Sequence, residues 1–146
     1  MRMKLALGIY LVGGVVNVVL GTMYFFSNQF MSYHAQAVGA SWQELDPGVR
    51  TVILALMKLA GGGWCAIGVL TIVLALAAFK SSSVVTRWVL PMGTVIFYLG
   101  SLTATWGVYR ATGAPAPWGS SLAMIMLALA ALVIDSPWSL RVRETE

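Results

Sequence analysis

The chain has 146 residues, of which 59% are hydrophobic and only 10% charged, against about 25% charged in an ordinary soluble domain. So few charges cannot clothe a globule of this size in water, and so apolar a chain does not stay disordered, which leaves an integral membrane protein. The formal net charge of +4 resides at the ends of apolar runs, where it speaks for membrane orientation and anionic headgroups rather than nucleic acid. The one cysteine, Cys65, excludes an intrachain disulfide and dithiol redox chemistry.

The hydropathy predicts one membrane domain over residues 1–146, an all-α four-helix transmembrane bundle with a short interfacial helix in its first loop. The first span covers residues 5–26, about 33 Å of helix against a hydrocarbon core of about 30 Å. Arg2 and Lys4 precede it as a signal peptide's basic region would. The apolar run is too long for that, and no small-residue cleavage site follows, so it reads as a retained anchor. Next, Phe30, Tyr33, His34, Ala37 and Val38 have helical apolar spacing, which predicts a short amphipathic helix in the interface. Ser41 and Glu44 have capping-box spacing. Asp46 followed by Pro47 reads as an N-cap with proline at the first helical position.

The second span is predicted over residues 49–79, the third over 88–109 with Pro91 near its start, and the fourth over 118–134. Residues 111–117, with two prolines and Gly113, form a tight loop, and Ser81 to Ser83 a flexible one. Ser136 and Pro137 start a short surface helix in the basic tail. Arg2, Lys4, Lys80, Arg87, Arg141 and Arg143 outnumber Arg50 and Arg110 on the opposite side. Both termini are therefore expected on the cytoplasmic side of the membrane. Trp88 and Trp138 mark one interface; Trp42, Tyr109 and Trp118 mark the other.

Helices in lipid associate through small residues that let backbones approach. The candidates are Gly13, Asn17 and Gly21 on the first span, Gly61, Gly62, Gly63, Cys65 and Gly68 on the second, and Gly93, Gly100 and Gly107 on the third. These faces are expected to meet inside one bundle, with a homo-oligomer contact through one of them as the alternative.

Lys58 is the only charge well inside a span. Counted from Val52 it lies about 9 Å deep, and an unpaired lysine at mid-bilayer costs roughly 2.5–3.5 kcal/mol. It shares a face with Gly61, Gly62 and Cys65, which predicts that it points into the bundle. A polar pocket around it would draw on Asn17, Thr22, Ser101, Thr103 and Thr105, with His34 and Glu44 nearby. Such a pocket suits an anionic headgroup, a quinone carbonyl or a small organic acid. The competing expectation is that Lys58 snorkels outward to water or to Glu44 or Asp46.

His34 is the only histidine, so one chain cannot form a two-histidine metal site or a bis-histidine haem. A copper site with Met31 is a weaker reading than a polar interfacial residue. Arg50 is expected to pair with Glu44 or Asp46, and Asp135 with Arg141 or Arg87. No carboxylate lies inside a predicted span, and no phosphate loop, zinc-protease or lipase motif is present.

The succession of an early anchor, Phe30, Met31, Ser32, Tyr33 and His34, then Trp42, Glu44, Leu45, Asp46, Pro47 and Gly48, then Lys58 and the run from Gly61 to Trp64 resembles the DoxX-like small bacterial inner-membrane proteins. The resemblance spans most of the chain. It implies an accessory role in membrane redox or sulfur-oxidation assemblies and supplies no catalytic residue. The sequence thus leads to a non-enzymatic accessory or lipid- or quinone-binding protein with no resident cofactor. Membrane lipids, a quinone, another membrane protein or further copies of the chain are the partners it suggests. A homo-oligomeric channel is the alternative, and a small membrane enzyme using Lys58, His34 and Glu44 comes third.

Overall fold

A computed structural model describes residues 2–81 and 83–138. Its elements are α1 (Arg2–Phe26), α2 (Ser32–Val38), a 3-10 turn (Trp42–Glu44), α3 (Pro47–Ser81), α4 (Val84–Thr112) and α5 (Trp118–Asp135). The chain is an all-α bundle in which α1, α3, α4 and α5 are each long and apolar enough to cross a membrane. Its outer surface agrees with that: Phe26 is 73% exposed, Leu59 74% and Ile96 67%, side chains that lipid solvates and water does not.

The helix boundaries follow local chemistry. Asp46 Oδ1 accepts the backbone N–H groups of Gly48 and Val49, so α3 starts at Pro47. Ser41 N–H donates to Glu44 Oε2 at 2.6 Å and shapes the 3-10 turn. Ser83 Oγ accepts from Thr86 N–H, which starts α4 at Val84 and leaves almost no loop after α3. Pro91 therefore lies inside α4 rather than near its start. Gly113, with φ +70°, ends α4, and its N–H bonds Tyr109 C=O. The expected tail helix and Arg141 and Arg143 lie outside the described residues.

The bundle has two distinct ends. At the terminal end, the start of α1, the α3–α4 junction and the end of α5 come together. At the loop end, α2 lies beside α4, and Pro117 of the α4–α5 connection lines the same cavity as Tyr33 and His34. The terminal end is closed by Tyr10, Ala75, Leu90 and Ala131, all buried. Above them Arg87 Nη1 meets Asp135 Oδ1 at 3.0 Å, with both side chains buried. Arg87 also reaches Met3 Sδ at 3.3 Å and lies 5.0 Å from the Phe79 ring centroid. Of the two partners expected for Asp135, Arg87, which belongs to α4, is paired with it.

Glycine packing is concentrated at α1–α3, the most extensive helix pair. Gly14 lies against Gly68 and Gly21 against Gly61; a Cβ added at Gly21 would sit 2.6 Å from the backbone of Gly61 and Cys65. On both helices the spacing is seven residues, the period of a left-handed supercoil. The stripe on α1 is thus Gly14 and Gly21, while Gly13 turns to Met124 of α5. The stripe on α4 behaves differently from expectation: a Cβ at Gly93, Gly100 or Gly107 would meet nothing within 4 Å. Instead α4 is tied by polar contacts, Tyr98 Oη donating to the buried Asn17 Oδ1 of α1 and Ser101 Oγ bonding Ser121 Oγ of α5 at 3.0 Å.

Candidate ligand cavity

Because α4 does not close against α3, a cavity of about 910 Å³ remains between them toward the loop end. Met57, Ala60, Gly63 and Trp64 of α3 form one wall. Phe97, Gly100, Ser101, Ala104 and Thr105 of α4 form the other. Tyr24 from the last turn of α1 and Tyr33 and His34 from α2 close the end, and no lining residue carries a formal charge. Leu59 and Ile96, both strongly exposed, stand on its rim, so it opens sideways out of the bundle.

The closed end is aromatic and polar. Tyr24 Oη and Tyr33 Oη are 2.8 Å apart, which ties α2 to α1. Tyr24 packs on Trp64 with centroids 4.9 Å apart, and Tyr33 on His34 at 4.0 Å. The backbone N–H of Met31 donates to His34 Nδ1 at 3.1 Å. An imidazole that accepts at Nδ1 carries its proton at Nε2. Burial also pushes the His34 pKa down, which favours this neutral form. Two tyrosine hydroxyls hold two protons, and their mutual bond uses one. One hydroxyl proton and the His34 Nε2–H therefore have no acceptor among the described residues. Burial, then the bond to Tyr24, raises the Tyr33 pKa, so this hydroxyl stays protonated.

The expected pocket around Lys58 is not what the helices build. Lys58 is exposed and lines no part of the cavity. Gly61 and Cys65 on its face do pack against α1, but α1 ends at Phe26, one residue past the Phe25 backbone that Gly61 touches. One turn further along α3, about 5 Å, that face has no helix to meet. Of the other expected residues, His34, Ser101 and Thr105 line the cavity. Asn17 is buried elsewhere, against Tyr98. Thr22 is exposed and bonds Val18 C=O, and Thr103 is exposed and bonds Leu99 C=O. Glu44 is exposed on the 3-10 turn, where the Ser41 N–H lowers its pKa. Arg50 donates to Leu45 C=O rather than to a carboxylate.

Tyr24, Tyr33, Trp64, Phe97 and Gly100 were not anticipated. For Tyr24 and Tyr33 the only sequence signal is the density of aromatic residues flanking the first loop; no helical spacing joins residues of four separate helices. No protein-family model matches the chain, and no curated protein or solved structure is significantly similar to it.

Proposed function

We propose that this protein binds an uncharged lipophile, a neutral lipid or a quinone, in the cavity between α3 and α4, as a non-catalytic accessory membrane protein. The observation that carries the reading is the cavity itself. Its volume falls in the range of about 300–1,000 Å³ typical of ligand sites, its wall bears no charge, and its closed end offers two hydrogen-bond donors without an acceptor among the described residues, beside aromatic rings. Apolar walls favour a hydrocarbon tail, and the donors favour a head that accepts hydrogen bonds without a charge. An anionic head would find no cation here, since Lys58 faces away.

In this reading the terminal end faces the bacterial cytoplasm. Exposed Arg2, Lys4 and Lys80, with the tail arginines, supply the positive side; Arg87 is spent on Asp135. An accessory role beside a redox assembly, implied by the DoxX-like resemblance, fits a protein that holds a lipophile without chemistry of its own.

Native mass spectrometry of the protein released from mild detergent tests the proposal. We expect a monomer carrying one neutral lipophile, identified after extraction, and its loss in Gly100→Phe, whose ring projects into open cavity space. A defined oligomer with no bound lipophile would replace this reading with the channel.

A further inference from the structure

A second cavity, about 430 Å³, lies on another side of the bundle, in the groove between α1 and α5, with the buried Thr71 of α3 and Thr94 of α4 also in its lining. It runs along one stripe of α1, from Lys4 and Leu5 through Gly8, Ile9 and Val12 to Val16 and Asn17, opposite Met124 and Leu127. Its length along α1, from Lys4 to Asn17, is about 20 Å. One leaflet of hydrocarbon is about half of a 30 Å core, so the groove spans a leaflet and the headgroup layer next to it. Lys4 stands at its terminal end, exposed and without an ion-pair partner among the described residues. The middle is bare: a Cβ at Gly8 would meet nothing within 4 Å.

We infer that this groove is a binding site for one anionic phospholipid, its acyl chain laid along Gly8, Val12 and Val16 and its phosphate held by Lys4. Charge complementarity chooses the occupant. The cavity between α3 and α4 has no charged lining residue, whereas this one has a cation at its mouth and apolar surface beneath it. A second copy of the chain packed symmetrically in the same orientation through this groove would set two Lys4 side chains against each other, an arrangement that like charges disfavour. A phospholipid instead brings an anion to the lysine at the depth where headgroups lie.

The test uses the full chain, delipidated in mild detergent and titrated in native mass spectrometry with phosphatidylglycerol and phosphatidylcholine of identical acyl chains. The expected result is one phosphatidylglycerol held in preference to phosphatidylcholine. Lys4→Gln, at an exposed position, lowers phosphatidylglycerol affinity about fivefold, the effect of one basic residue at an anionic surface, and leaves phosphatidylcholine unchanged. Gly8→Leu fills the groove and weakens phosphatidylglycerol binding, while Gly100→Phe, in the other cavity, leaves phosphatidylglycerol binding unchanged. Equal affinity for the two lipids, or an unchanged preference in Lys4→Gln, overturns the inference. So does a dimer that Gly8→Leu dissociates, which would give the groove to a second copy.

Discussion

The α1–α3 and α3–α4 seams contain similar numbers of glycines and are built in opposite ways. In the first, Gly14, Gly21, Gly61 and Gly68 bring two backbones into contact, and a single methyl group has no room at any of them. On α4, a Cβ at Gly93, Gly100 or Gly107 would meet nothing within 4 Å, and the space beside Gly100 belongs to a cavity. A glycine in an apolar helix thus licenses close approach without requiring it. What decides is whether the facing helix carries small residues in matching register. Gly61 and Gly68 match Gly21 and Gly14; on the other side, the larger Met57, Trp64 and Phe97 line the space between α3 and α4. α4 is then retained by hydrogen bonds and an ion pair to its other neighbours.

The sharpest way to break that contrast is to remove the polar ties of α4. Arg87→Met leaves Asp135 buried without its cation and is expected to cost about 3–5 kcal/mol. The double substitution Arg87→Met with Asp135→Leu recovers most of the loss, read as thermal midpoints in detergent. Next comes overpacking of the closed seam. Gly61→Val puts carbon 2.6 Å from the Phe25 backbone nitrogen and is expected to destabilise by about 1–3 kcal/mol. Gly107→Ala on α4 should do the reverse, gaining up to about 1 kcal/mol from helix propensity with no clash. If Gly107→Ala destabilises instead, that stripe packs against something, and the oligomer alternative returns.

The smallest expected effect concerns the lid of the open seam. His34 has a folded pKa below its ordinary value of 6.5. Its contribution to stability is therefore complete above that value and is lost as pH falls through the folded pKa. Protonation of Nδ1 also removes the acceptor for Met31 N–H. The thermal midpoint should decline on acidification in the native chain and decline less in His34→Asn. Equal slopes would show that α2 is held by other contacts.

Much of the architecture was legible in residue order. Twenty-odd consecutive apolar residues must satisfy their backbone polar groups internally, so four helices followed from hydropathy. Asp46, Pro47, Ser41, Glu44 and Gly113 marked boundaries because capping is a contact within a few residues. The first loop's helix was visible in the spacing of Phe30, Tyr33, His34 and Val38. The ends of α4 were less visible: Ser83 starts it one turn earlier than the apolar run, which left Pro91 in its interior.

The site was only partly legible. His34 and Ser101 were candidates and do line the cavity, yet Lys58 was placed at its centre and stands outside it. Gly61 and Cys65, on the face of Lys58, do meet α1, but α1 stops below the level of Lys58, which is exposed instead of pointing into the bundle. Sequence alone determined that the chain is helical, membrane-seeking and asymmetric in charge, since these follow from each residue's own solvation and its near neighbours. Which glycines touch, which cations are spent on carboxylates and where space is left were decided only by tertiary structure, because each depends on the register and length of a helix distant in the chain.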